Sequence, residues 1–310
     1  MQTFDAEATR AALPFERLVP ALRAQFAAGC TVPPRHVHEV AAGAETMTSL
    51  IMPAWTARHY GVKTVNIAPG NAARGLPGLH AAYLLFDALS GAPLALMDGA
   101  VITSRRTAAA SALAASWLAR GNARHLLVVG AGAVARLLPA AYRVVRPIER
   151  VSVWARRAEA AQRLAALLRD DGFDAAAVDA LDAAAAAADV VSCATLATAP
   201  VVQGRWLRAG SHLDLIGSFT PAMREADDDA FAGAAIYVDT DEALAKSGEL
   251  LGPMSRGVFA RDAVRGTLAA LARGEVPGRC DATERTVFKS VGTALEDLAA
   301  ATLVWSTRRG

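Results

Sequence analysis

The chain has 310 residues, 53% of them hydrophobic, with 32 Lys plus Arg against 30 Asp plus Glu, a formal charge of +2. That length suits about two domains with filled cores, and the balance of charge excludes a dedicated nucleic-acid binder, which needs a concentrated basic surface. Cys30, Cys193 and Cys280 are too few and too scattered for a disulfide framework or a Cys-based zinc site, Asp5 and Glu7 argue against a signal peptide, and no stretch reaches the roughly 18 apolar residues of a membrane span.

The expectation is a globular protein of a reducing cytoplasm, with no membrane partner. In its first hundred residues the chain offers short strand-like runs at 48–52 (TSLIM), 61–67 (GVKTVNI), 81–86 and 94–97, each followed by turn residues. Such close spacing predicts an antiparallel or mixed sheet. Residues 107–119 read as an alanine-rich helix that stops near Arg120-Gly121.

The middle of the chain changes character. Apolar strands are predicted at 125–129 (HLLVV), 150–154 (RVSVW), 188–193 (ADVVSC), 212–216 (HLDLI) and 235–238 (AIYV), with helices following the first two and over the alanine run 182–189. This alternation implies parallel βαβ units. Residues 287–304 read as a final helix, entered through Phe288-Lys289-Ser290-Val291-Gly292.

Between the strand 125–129 and the next helix stands Gly130-Ala131-Gly132-Ala133-Val134-Ala135, a G-x-G-x-x-A turn in the strand–turn–helix setting that a dinucleotide site requires. Gly130 permits the tight turn, Gly132 lets backbone approach a pyrophosphate, and Ala135 keeps the helix close to the strand; the N–H groups of the helix start face the phosphates. At the end of the next strand an NAD-preferring site carries an acid. Here Trp154-Ala155-Arg156-Arg157 stands instead, and two guanidinium groups match a 2′-phosphate, so NADPH is the expected cofactor, with NADH possible. Thr107, Ala133, Val134, Trp154, Cys193, Ala194 and Thr195 are further candidate cofactor contacts.

Lys63 interrupts an apolar strand, Arg106 lies in ITSRRTAA, and Arg35 follows Pro33-Pro34. Such cations can converge on a carboxylate, Arg by a bidentate fork and Lys as a point charge; by composition alone they read instead as solvated surface groups. His80 is a candidate for the pocket or a partly buried structural histidine. The pair His36 and His38 lacks a third ligand, and no metal is expected.

These residues carry a resemblance. Pro34-Arg35, Leu50 to Pro53, Gly61-Val62-Lys63, Gly75-Leu76-Pro77, Met97-Asp98-Gly99, Ile102 to Ala109, the Gly130 turn, Val153 to Arg156, Phe288 to Gly292 and Glu296-Asp297-Leu298 together resemble the ornithine cyclodeaminase/mu-crystallin family. The resemblance implies an α/β fold: a Rossmann dinucleotide-binding domain at 119–286, and a discontinuous α+β substrate and dimerisation domain made of 1–118 plus a returning helix in 287–310. It implies a homodimer, and Arg35, Lys63 and Arg106 as ligands of a substrate carboxylate.

It also places Phe219 where cyclodeaminases carry a catalytic aspartate, and a phenyl ring cannot exchange a proton. The string 217–227 (GSFTPAMREAD) instead resembles the bacterial reductases of cyclic ketimines, Δ1-pyrroline-2-carboxylate and Δ1-piperideine-2-carboxylate. The implied reaction is hydride transfer from nicotinamide to a C=N carbon. Arg35, Lys63 and Arg106 grip the carboxylate, Lys63 is the candidate proton donor, Phe219 forms an apolar wall, and Val291 and Gly292 line the nicotinamide by resemblance. An alanine-type amino-acid dehydrogenase, an ornithine cyclodeaminase and a non-catalytic crystallin-like binder are the competing expectations.

Overall fold

The computed structural model describes residues 1–43 and 45–307, the side chain of residue 72 excepted. Two compact units divide them, 1–106 with the chain from 293 onward, and 107–292.

In the first unit β1 (Gln2–Phe4), α1 (Ala6–Ala11) and α2 (Phe15–Ala28) precede β2 (His36–Ala42), β3 (Glu45–Trp55), β4 (His59–Ile67), β5 (Leu79–Asp87) and β6 (Pro93–Asp98). The strands form one sheet in the order β1-β6-β5-β4-β3-β2, antiparallel except for β1 beside β6. This is the mixed sheet that closely spaced strand signals predict.

The first 47 residues carry elements that those signals do not mark. β2 (HVHEVAA) is exposed along its whole length and has no buried face to generate alternation. In α2 the buried residues Phe15, Leu18, Val19, Leu22 and Phe26 do follow helical spacing, but Pro20 interrupts the run.

Register explains how a lysine enters the core of this unit. Met52, Lys63, Tyr83 and Met97 are successive partners across β3, β4, β5 and β6, and all four are buried. Side chains alternate along a strand, so Lys63 shares a face with the buried Gly61 and Val65. The helix Ala294–Ser306 packs against α2, β3, β4 and β5, covering that sheet.

The division falls inside α3 (Gly99–Leu118), which no glycine or proline interrupts after its first residue. The second unit continues with β7 (His125–Val129), α4 (Ala133–Arg143), β8 (Arg150–Trp154), α5 (Ala158–Asp170), β9 (Asp174–Ala177), α6 (Leu181–Ala187), β10 (Val190–Cys193), β11 (His212–Leu215), β12 (Ala235–Val238), α7 (Ala243–Lys246), α8 (Gly248–Ser255), β13 (Val264–Thr267), α9 (Leu268–Arg273) and β14 (Thr286–Lys289). Its eight strands are all parallel, in the order β13-β12-β14-β11-β10-β7-β8-β9. The run HLLVV is β7, and β7 and β10 flank the point where strand order reverses. In open sheets of this kind ligands bind beyond the carboxyl ends of the strands at that point.

Two expectations need correcting. The segment 287–304 is not one helix: its start belongs to β14, wholly buried between β11 and β12, and the helix, α10 (Ala294–Ser306), begins at the Thr293 cap. The unit boundaries accordingly lie at 106/107 and 292/293, against the expected 118/119 and 286/287. β-branched Thr286 and Val287 with Phe288 favour a strand, and residues 308–310 of the expected segment lie outside the described residues.

The interior of the second unit holds a polar centre on β11. Asp214 on β11 accepts hydrogen bonds from Ser111 (3.1 Å), Tyr142 (2.9 Å) and Ser192 (2.5 Å), all buried. Burial pushes its carboxyl up to about 6, against the pull of those hydroxyls. Tyr142→Phe removes one donor and leaves the cavity filled, so it is expected to cost about 1.5–3 kcal/mol of stability, measured by urea unfolding; a loss below 0.5 kcal/mol would contradict the assigned network.

Candidate active site

The first unit assembles a buried ionic cluster. Lys63, on β4, is 1% exposed, and its Nζ lies 2.7 Å from Asp297 Oδ2. Arg106, on α3, donates Nε to Asp297 Oδ1 at 2.9 Å and Nη1 to Glu296 Oε2 at 2.7 Å. Both acids occupy the first turn of α10, where a helix N-terminus favours negative charge.

The electrostatics follow from burial and pairing. Burial pulls the Lys63 ammonium down to about 8, with Asp297 resisting and Arg106 adding to the fall. Burial also opposes the Arg106 charge, but Asp297 and Glu296 outweigh it and raise its pKa. Asp297 is held below the usual carboxylate range because Lys63 and Arg106 overcome its own desolvation. Two cations face two carboxylates, so the cluster is balanced before any ligand arrives.

Arg35 is half-buried and immediately precedes β2, whose first pair is His36 with Ile51. One further register step points to the row that contains Met52 and Lys63. His80 is not brought to this cluster. It pairs with Asn66 and is exposed, whereas Tyr83, the partner of Lys63, is buried. An odd offset along β5 puts His80 on the opposite face of the sheet, beside Glu45, Asn66, Asn71 and Arg74. The sequence places Glu296 and Asp297 in a motif without a role; acids in a chain position so remote from Lys63 gain one only when α10 returns to the sheet.

The second unit builds a dinucleotide turn. Gly130 ends β7 with φ 121°, a region that L side chains rarely adopt, and a Cβ there would lie 2.5 Å from the Ala194 carbonyl oxygen. Gly132 has open space where its Cβ would be, and it caps α4 with no side-chain hydrogen bond, leaving the first-turn N–H groups of the helix to a ligand. Ala133 is exposed and Val134 half-buried at that helix start. Gly130 N donates to Trp154 O at 2.8 Å, which joins the turn to the end of β8. Arg156 and Arg157 follow, both exposed. An open glycine edge, an uncapped helix start and two guanidinium groups fit a phosphorylated dinucleotide.

Beyond β10, Ala194 and Thr195 are half-buried beside the Gly130 turn. The side chain of Cys193 is fully buried in the core with Val129, Val191 and Leu215, and burial raises its thiol well above the usual range. Alternation along β10 turns it inward. Val291 and Gly292 lie between β14 and α10, and Phe219, 41% exposed, follows β11. Thr107 is half-buried at the start of the second unit.

Comparison with known proteins completes this description. The model of the ornithine cyclodeaminase/mu-crystallin family matches residues 8–310. The chain is 46% identical over 279 residues to Δ1-pyrroline-2-carboxylate reductase of Paracoccus denitrificans, covering 89% of this chain and 88% of that one. It superposes with TM-score 0.94 and 32% identity on Thermococcus litoralis Δ1-pyrroline-2-carboxylate reductase in complex with NADH and L-proline, covering 100% and 98% of the two chains. An archaeal alanine dehydrogenase dimer with bound NAD gives TM-score 0.90 and 30% identity, covering 100% and 96%. The buried cations of one unit, the glycine turn of the other and a family match along almost the whole chain agree, and the protein belongs to the ornithine cyclodeaminase/mu-crystallin family.

Proposed function

We propose that this protein is an NAD(P)H-dependent imine reductase that converts Δ1-pyrroline-2-carboxylate to L-proline and Δ1-piperideine-2-carboxylate to L-pipecolate. The observation that carries the reading is the buried cluster of Lys63 and Arg106 with Glu296 and Asp297. A protonated cyclic ketimine with its carboxylate has no net charge, and a cluster of two cations and two anions accepts it without an unbalanced buried charge. Similarity to Δ1-pyrroline-2-carboxylate reductases supports the same substrate.

In this reading Arg106 and Arg35 orient the carboxylate, and Lys63 supplies a charge beside it and a proton to nitrogen. Glu296 and Asp297 hold the cations in place and offset them near the iminium. Phe219 excludes water, which favours reduction over hydrolysis of the C=N bond. Bound nicotinamide supplies the hydride. Gly130, Gly132, Ala133 and Val134 hold the pyrophosphate, Arg156 and Arg157 the 2′-phosphate of NADPH, and Thr195, Val291 and Gly292 border the nicotinamide. The protein acts in this reading as a cytoplasmic homodimer, in keeping with the dimeric form of the alanine dehydrogenase relative. That similarity also favours a second reading, amination of pyruvate with free ammonia. Ornithine cyclisation is disfavoured, because Phe219 has no group to take a proton.

Oxidation of NADPH with synthetic pyrroline- and piperideine-2-carboxylate is expected to exceed that with pyruvate plus ammonium, or with ornithine and the oxidised cofactor. Turnover of neither cyclic imine would remove this function. The reduction rate is expected to fall as pH rises through about 8, where Lys63 gives up its proton; Lys63→Met should lower kcat about 10²–10⁴-fold, and an unchanged rate would exclude Lys63 as proton donor. Arg156→Ala should weaken NADPH binding about 10- to 100-fold with little change for NADH. Equal losses in a fluorescence titration of both cofactors would exclude the 2′-phosphate role.

A further inference from the structure

Beneath the carboxyl edge of the parallel sheet lies a second set of buried charges that the proposed reaction does not use. Glu225 has no exposed surface. Its Oε1 accepts from Thr195 N at 2.7 Å and Thr195 Oγ1 at 2.8 Å, and its Oε2 accepts from Gly217 N at 2.7 Å. Asp239, 1% exposed, accepts from Val291 N at 2.8 Å and Gly292 N at 2.7 Å through Oδ2, and from Thr240 N at 2.7 Å through Oδ1. Glu249 holds the segment of Glu225 itself, accepting from Glu225 N at 2.6 Å and Ala226 N at 2.9 Å. Lys289, fully buried at the end of β14, donates Nζ to Leu215 O at 2.9 Å.

Two carboxylates therefore tie down the chain beyond β10, β11 and β14 through four backbone N–H groups and one hydroxyl. These loops leave little latitude. A Cβ on Gly217 would stand 1.9 Å from Thr195 O, so the loops after β10 and β11 are in backbone contact. Lys289 is the cation that offsets the group: Glu225, Glu249, Asp239 and Asp214 all act on its charge, and burial still lowers its pKa.

We propose that Glu225 and Asp239, with Lys289 as their shared counter-charge, are positioning residues that fix the loops at Thr195, Gly217 and Val291-Gly292 for the nicotinamide half of the dinucleotide. The proposal rests on the reading of this sheet edge as the dinucleotide site. It adds a proton dependence. Every donor to Glu225 points at a carboxylate oxygen, and protonation occupies one lone pair and makes both oxygens weaker acceptors, so the ionised form holds both loops more tightly. The groups that face Glu225 are Lys289 from β14, Glu249 from α8 and the Cys193 thiol from β10, while Arg224 beside it bonds Asp228. Burial raises the Glu225 carboxyl to about 7 although Lys289 and the Thr195 donors pull it down. Falling pH therefore loosens the loops near neutrality.

The test measures binding of NADH and of ADP-ribose, which lacks nicotinamide, to the full chain between pH 6 and pH 8. NADH affinity of the wild type should drop about tenfold from pH 8 to pH 6 while ADP-ribose affinity stays flat. Glu225→Gln should bind NADH about tenfold more weakly at pH 8 and lose the pH dependence, with ADP-ribose unchanged. Asp239→Asn should weaken NADH alone. A flat NADH profile in the wild type overturns the proposal even if the variants do not fold, as does a Glu225→Gln protein that binds NADH as the wild type does. Failure of both ligands and of NADPH to bind would instead remove the dinucleotide reading beneath it.

Discussion

The contact on which the first unit depends is the pairing of Lys63 and Arg106 with Asp297 and Glu296. Neither cation belongs in an apolar layer by itself. Removing one member of a buried pair leaves an uncompensated charge and costs about 3–5 kcal/mol. The chain therefore has to come back: α10, which begins at residue 294, 176 residues after α3 ends at residue 118, brings the two acids to the sheet face that presents Lys63. Discontinuity of this unit is thus a consequence of charge as well as of apolar packing. The same pairing gives the cluster its chemical character, because Lys63 is left with a proton that it can release near neutral pH.

A different constraint governs the second unit. Its central strands β7, β10, β11, β12 and β14 are buried throughout, so most of what is polar around them is gathered at their ends. At the carboxyl ends the backbone runs so close that Gly130 and Gly217 have no room for a side chain. Such proximity leaves N–H groups that need acceptors, and Glu225 and Asp239 provide them from within. A carboxylate that serves as an internal acceptor is costly to bury, which is why its proton is held more tightly than in water. Lys289 moderates that cost without abolishing it.

Much of this was legible along the chain. The strand–turn–helix setting of Gly130, the missing acid after Trp154 and the apolar strands of the second unit are local features, and local sequence specifies them. The place of Lys63 within an apolar alternating strand was legible, but its burial was not, since by composition it read as a solvated surface group. Other features were illegible for definite reasons. β2 has no buried side to leave a pattern, and His80 was assigned without knowledge of which face of β5 it would occupy. Cys193 stood at a strand end but turned into the core. The expected helix from 287 hid β14, since four residues are too short a run for periodicity to separate a strand from a helix start.

What the sequence determined by itself was the set of local conformations and the chemistry available: the glycine turn, the guanidinium pair, the apolar strands and the family to which their order belongs. Tertiary structure decided which charges meet. Asp297 is 234 residues from Lys63 in sequence and 2.7 Å from it in space, and Glu225 reaches loops that lie on either side of β11. No periodicity encodes such pairs, because they arise from burial: once the sheets and helices close around them, each buried charge is stable only where a partner from another part of the chain is already fixed.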